Sequence, residues 1–217
     1  MKKILFTKQL ETDLISDVLR QVCEWDFETF IEAKTIEIKP FDLENSSLIF
    51  TSANAVKAFL ENHFKYNENP TYTVGKKTKN ILEQNGIQVK ACTENAISLA
   101  QIICSQYRHE AFIHFCGNLA LDTLEKTLEE QNIPYQKKEI YTTKKLYPII
   151  KKQYEAIVFF SPSGVESYFE HNENVKKYFC IGETTAKTLR HYTKKPIFVS
   201  ENPTLDSILN LIKIKLS

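Results

Sequence analysis

The sequence predicts an α/β protein built from two similar doubly wound domains with parallel sheets. Three observations predict it: strand-like and helix-like runs alternate along nearly all of the 217 residues, the chain repeats itself once, and its strands suffice for two five-stranded sheets. Domains of about 100 residues each are of ordinary size.

The elements follow in order. KILFT (3–7) reads as a strand and leads into LETDLISDVLRQV, where Leu10, Leu14, Val18 and Val22 form one stripe at helical spacing. DFETFIEA then reads as a strand (25–31) and TIEIKP as a separate one. SLIFTS, with a strand at 47–51, precedes the helix ANAVKAFLENHF. TYTVG, with a strand at 71–74, precedes KKTKNILEQN, which Gly86 is placed to stop as a C-terminal cap. The strand at 88–91 leads to AISLAQIICSQY, the strand at 111–115 to NLALDTLEKTLEEQN, and the strand at 134–138 continues into KEIYTT. The last third supplies AIVFF (156–160), SGVESYFEHN, KYFCIG (177–181), ETTAKTLRHY, PIFVS (197–200) and the helix PTLDSILNLIKI.

The repeat has three parts. Shifted by 109, LIFTSANAVKAF lies on IVFFSPSGVESY, matching Phe50 with Phe159, Ser52 with Ser161 and Val56 with Val165. Shifted by 107, TVGKKTKNIL lies on CIGETTAKTL, and Glu94-Asn95 lies on Glu201-Asn202. Three matches in register indicate duplication, and the period is too long for a solenoid. Residues 1–33 plus 146–217 are thus expected to form a discontinuous first domain and 42–137 an inserted second one. Residues 34–41 and 138–145 form a two-stranded connector, giving two similar doubly wound (flavodoxin-like) domains joined by it.

Composition narrows the partners. Lys plus Arg is 28 and Asp plus Glu is 27, a net charge of +1. The basic excess that drives phosphate binding is missing, so nucleic acid is not an expected partner. Five widely spaced cysteines without a CxxC pair argue for reduced thiols rather than a disulfide framework or a zinc site. The opening MKKILFTKQL has too short an apolar core for a signal peptide, and no run approaches the ~20 apolar residues of a membrane span. A cytoplasmic monomer without a membrane partner is expected.

The chemistry points to the strand ends. Gly75, Gly117, Gly164 and Gly182 all follow a strand and precede a helix, the edge where open α/β sheets bind ligands. Ser52, Asn54, Thr78, Asn118, Ser161, Ser163, Thr184 and Thr185 crowd the same corners. Helix N-termini there accept anions, although capping alone also favours these residue types. No GxGxxG, P-loop, GxSxG, HxH or HxxxH occurs, so a dinucleotide, a triphosphate, a serine nucleophile or a bound metal is not expected. What remains is an anionic ligand held between two domains by backbone donors and hydroxyls.

FTSANAVKAF, VGKKT, CGNLALDTL, EIYTT, FFSPSGVESYF and CIGETTAKTL, in this order, resemble the uroporphyrinogen-III synthase family along essentially the whole chain. The resemblance implies two α/β domains, the first made of both chain ends, with a site in the cleft. It implies conversion of the linear hydroxymethylbilane into uroporphyrinogen III, with loss of water and inversion of the last ring, without metal or organic cofactor. Tyr141 in EIYTT matches the tyrosine beside the family's cleft and becomes the candidate proton donor or orienter. The expected substrate contacts are Thr51, Ser52, Ala53, Asn54, Gly75, Lys76, Thr78, Gly117 and Asn118 in one domain. In the other they are Ser161, Pro162, Ser163, Gly164, Gly182, Thr184 and Thr185. CGNLALDTL lacks the arginine many relatives carry after this glycine. The competing readings are a two-domain glycosyltransferase and a non-catalytic small-molecule-binding protein of the same fold.

Overall fold

The computed structural model describes residues 2–173 and 175–216. Met1 and Ser217, the end points of the expected first domain, and Asn174 lie outside the described residues. The chain divides into two compact units, Met1–Glu32 with Lys144–Ser217 and Ala33–Thr143.

The unit made of both chain ends has a five-stranded sheet. Its strands are β1 (Lys2–Phe6), β2 (Cys23–Phe27), β9 (Ala156–Phe159), β10 (Lys177–Cys180) and β11 (Ile197–Val199), in the spatial order β11-β10-β9-β1-β2. All four pairings are parallel. Alternate residues of each strand serve opposite layers, as the pleat dictates. Ile4, Phe6, Val158 and Phe179 pack with Ile15 and Leu19 of α1 (Thr12–Leu19) and Ile208, Leu209 and Ile212 of α8 (Leu205–Leu216). Leu5, Ile157, Phe159 and Tyr178 face α6 (Pro162–Phe169) and α7 (Glu183–Leu189).

The inserted unit has a six-stranded sheet in the order β3-β8-β7-β4-β5-β6. These strands are β3 (Ile31–Thr35), β4 (Ser46–Phe50), β5 (Thr71–Val74), β6 (Val89–Thr93), β7 (Ala111–Gly117) and β8 (Tyr135–Lys145). β4 to β8 pair in parallel. The Ile36 N–H donates to the Ile140 carbonyl, and Thr142 reaches the Lys34 carbonyl, so partners rise on one chain as they fall on the other: β3 runs antiparallel to β8. One layer holds α2 (Ala53–Glu61) and α3 (Lys76–Gln84), packed on Leu48, Phe50, Ile113 and Phe115. The other holds α4 (Ala96–Gln106) and α5 (Thr123–Glu130), packed on Ile49, Tyr72 and Phe112. Gly86 (φ 77°) ends α3, its N–H bonding to Glu83 as a C-terminal cap requires.

Both sheets have one winding, read from different starting points. Numbered within its own unit, the five-stranded sheet runs 2-1-3-4-5, the flavodoxin-like order, and the parallel strands of the other run 3-2-1-4-5. Starting the first unit at β9 instead of β1 turns its order into 3-2-1-4-5 as well. The match is the one the repeat predicts, with β4 corresponding to β9 and β5 to β10.

Three local expectations are corrected. The fully buried residues of α1 are Ile15 and Leu19, and Leu10, Val18 and Val22 of the expected stripe pack against the same core, whereas Leu14 is 47% exposed and leaves it. DFETFIEA splits into the end of β2 and the start of β3, because the chain leaves the sheet to bury Phe30. TIEIKP is not a strand beyond Thr35, whereas KEIYTT continues the strand that starts at Tyr135, as the sequence reads. The Asn62 side chain accepts from the Ile38 N–H at 2.6 Å and donates to the Ile36 carbonyl at 3.0 Å, holding that segment out of a regular ladder.

Candidate functional site

In open α/β sheets a crevice forms where successive connections depart to opposite sides. In the inserted unit that point lies between β4 and β7. The two strands are held together by aromatic packing directly beneath it: Phe50 and Phe115 stack at 5.6 Å, and Phe59 of α2 meets Phe115 edge-on at 5.0 Å. Each such pair contributes about 0.5–1.5 kcal/mol beyond its burial.

Above this packing β4 ends and α2 begins. Ser52 is the N-cap, in extended conformation, with its Oγ accepting from the Ala55 N–H at 3.1 Å. The same Oγ lies 2.9 Å from the hydroxyl of Tyr141. Tyr141 reaches it because β8 bulges against β7: Cys116 pairs with Glu139, but Gly117 pairs with Tyr141. The hydroxyl end of the tyrosine ring then lies against Gly117, where a Cβ would meet Tyr141 Cζ at 2.4 Å. Glycine is the residue that admits the ring. Burial raises the pKa of Tyr141, opposed by the bond to Ser52, so the phenol is protonated at neutral pH. Asn118 secures the same stretch: its N–H donates to the Tyr141 carbonyl at 3.2 Å and its side-chain oxygen accepts from the Thr143 N–H at 2.8 Å.

Thr51 looks toward the other face. Its Oγ1 lies 2.9 Å from His114 Nε2, and His114 Nδ1 lies 2.7 Å from the hydroxyl of Tyr135. Burial, helped by the positive Lys137, pushes the His114 pKa down to about 4, so the ring is neutral at pH 7. Sequence alone ranks His114 with surface or packing residues and does not single out Tyr135. A histidine in the apolar run AFIHF is the available signal, because a buried polar ring needs partners.

The remaining expected contacts in this unit are separate from that cluster in their bonding. Gly75 precedes α3 at φ 84°, where glycine is favoured, and its N–H donates to the Thr93 carbonyl at 2.8 Å. Lys76 is exposed and Thr78 is buried under α3. Ala53 and Asn54 form the first turn of α2, Asn54 exposed.

The chain-end unit repeats the corner. Ser161 caps α6, accepting from the Gly164 N–H at 3.1 Å, with Pro162 in the first turn and Ser163 Oγ 3.3 Å away. Gly164 packs near Thr7 of the adjoining β1 corner. Gly182 is the N-cap residue of α7, followed by exposed Thr184 and buried Thr185. Among the described residues no group of three His, Cys, Asp or Glu is placed to hold a metal ion.

Fold and corners together define a class: a doubly wound α/β protein in two units, with protonated hydroxyls and helix N-termini gathered at the strand ends. Residues 28–210 match the family model described as Uroporphyrinogen-III synthase HemD. The chain belongs to the uroporphyrinogen-III synthase family, enzymes of tetrapyrrole biosynthesis, as the resemblance implied. Solved structures agree on the fold. The chain is similar to uroporphyrinogen-III synthetase from Helicobacter pylori, with TM-score 0.75 and 18% identity over 100% of both chains. It is also similar to a mutant uroporphyrinogen III synthase from Thermus thermophilus, with TM-score 0.69 and 14% identity over 100% of this chain and 99% of that one.

Proposed function

We propose that this enzyme folds hydroxymethylbilane and closes it to uroporphyrinogen III, releasing water and inverting the last pyrrole ring, without a cofactor. The observation that carries the reading is the Ser52–Tyr141–Gly117 contact at the switch point between β4 and β7. The substrate is a flexible polycarboxylate that cyclises unaided to the wrong isomer. The protein must therefore select one reactive geometry, which is a positioning task.

Each group then has a part. Ser52 Oγ accepts from the Ala55 N–H, and in the proposed arrangement its own proton goes to the Tyr141 oxygen 2.9 Å away. That arrangement leaves the phenolic proton for the departing hydroxyl, which exits as water. Tyr141 acts as a hydrogen-bond donor that orients and partly protonates, because a phenol with a raised pKa is a weak acid at neutral pH. The cation left on the chain needs shielding from water until the ring closes. The first turns of α2 and α6 offer backbone N–H groups and partial positive charge to carboxylates. Thr51, Ala53, Asn54, Gly75, Lys76, Thr78 and Asn118 of one unit, and Pro162, Ser163, Gly164, Gly182, Thr184 and Thr185 of the other, complete the proposed contact set. We place the enzyme in the cytosol as a monomer, a setting in keeping with its five free thiols. Among the described residues no helix is long and apolar enough to cross a membrane.

The test is an isomer assay. Pure protein is mixed with freshly generated hydroxymethylbilane, and the oxidised porphyrins are separated by chromatography. Isomer III is expected to dominate. A mixture still dominated by isomer I, as in the protein-free control, overturns the reading.

A further inference from the structure

His114 takes no part in the step just described, yet it is only 1% exposed and both its ring nitrogens are engaged. A neutral imidazole carries one proton, so one nitrogen donates and the other accepts. The two partners are unequal. Tyr135 offers a phenol, which burial makes less acidic than usual but which is still a better donor than an alkyl alcohol. It also makes the shorter contact, 2.7 Å against 2.9 Å for Thr51. The phenol therefore donates to Nδ1, and the N–H sits on Nε2, where it donates to Thr51 Oγ1. Thr51 becomes an acceptor toward the ring, and its own proton is turned away from it. The next residue is Ser52, at the N-terminus of α2.

We propose that His114, oriented by Tyr135, is a positioning residue that presents the Thr51 hydroxyl as a hydrogen-bond donor to a substrate carboxylate. The inference rests on the function proposed above. The opposite tautomer would draw the threonine proton into the ring and turn lone pairs toward an anion. A chain of three side chains across β8, β7 and the β4 corner thus converts a threonine of either polarity into a committed donor.

Two measurements decide it. In the free wild-type protein at pH 7, nitrogen-15 NMR of the imidazole is expected to show a neutral Nε2–H tautomer, the signal being assigned by its loss in His114→Gln. An Nδ1–H tautomer or a charged ring overturns the proposal independently of any activity. In steady-state assays with hydroxymethylbilane, Thr51→Val and Tyr135→Phe are each expected to raise KM by roughly 3- to 10-fold, one hydrogen bond's worth, with kcat within about twofold. The double variant is expected to be no worse than Thr51→Val, because both changes remove the same bond. Additive KM effects, or an unchanged KM in Tyr135→Phe, overturn the inference while wild-type activity leaves the function reading standing. A wild-type protein inactive in the isomer assay overturns that reading, and the substrate contact with it.

Discussion

The corners at Ser52 and Ser161 are nearly superimposable in their local bonding and differ in everything around it. Ser52 has φ −151° and ψ 150°, Ser161 φ −159° and ψ 156°, and each Oγ accepts a helix N–H at 3.1 Å. Ser52 also contacts a phenol, whereas the only other side chain bonded to Ser161 among the described residues is Ser163. The difference traces to one strand. In the permuted order β8 corresponds to β2, but β8 runs for 11 residues and β2 for 5. The longer strand carries Tyr141 up to the edge of its sheet, and the bulge at Gly117 turns it onto the serine. The repeat supplies two serine caps, and the longer strand sets a phenol beside one of them.

That asymmetry can be broken in steps. The largest effect is expected from Tyr141→Phe, which removes the phenolic oxygen but keeps the ring against Gly117. Turnover should fall roughly 10- to 100-fold, with unchanged circular dichroism and more isomer I in the product. Wild-type turnover in this variant would remove Tyr141 from the chemistry.

Gly117→Ala attacks the same contact from beneath. Its methyl group occupies the space of the tyrosine ring, 2.4 Å from Cζ, so the ring must move and the bond to Ser52 breaks. A loss of roughly 10-fold in kcat is expected from the displaced hydroxyl. The same loss should not deepen when Tyr141→Phe is added, and multiplicative losses would show that Gly117 acts by another route.

Ser52→Ala and Ser161→Ala give the smallest and sharpest comparison. Each loses a cap, so each should lower stability by about 1 kcal/mol in urea unfolding. Turnover should fall a few-fold further in Ser52→Ala, because only that variant leaves Tyr141 without its partner. Equal turnover in the two variants would sink the asymmetry.

Much of this was legible in the residues. Alternating apolar runs separated by amphipathic stretches can bury their surfaces only as layered sheet and helix, so the α/β class followed from periodicity. Ser52 and Ser161 were identifiable as caps because a small hydroxyl residue before a helical run satisfies an otherwise unpaired N–H. Gly86 sat where a C-terminal cap needs a positive φ, and it has one. The order of motifs from FTSANAVKAF to CIGETTAKTL identified the family.

Pairing between distant strands was not legible. Nothing in EIYTT says that Tyr141 stands beside Gly117 rather than Cys116; the bulge sets that, and a one-residue shift would turn the ring to the opposite face. Nor does AFIHF reveal that His114 has Thr51 on one side and Tyr135 on the other, since both partners arrive from neighbouring strands. The sequence by itself determined the elements, their caps and the duplicated corner, because those depend on interactions a few residues apart. Only the tertiary structure decided which corner acquires the phenol and the imidazole, because hydrogen bonds between side chains 63 and 89 positions apart exist only once strand order and register bring them together.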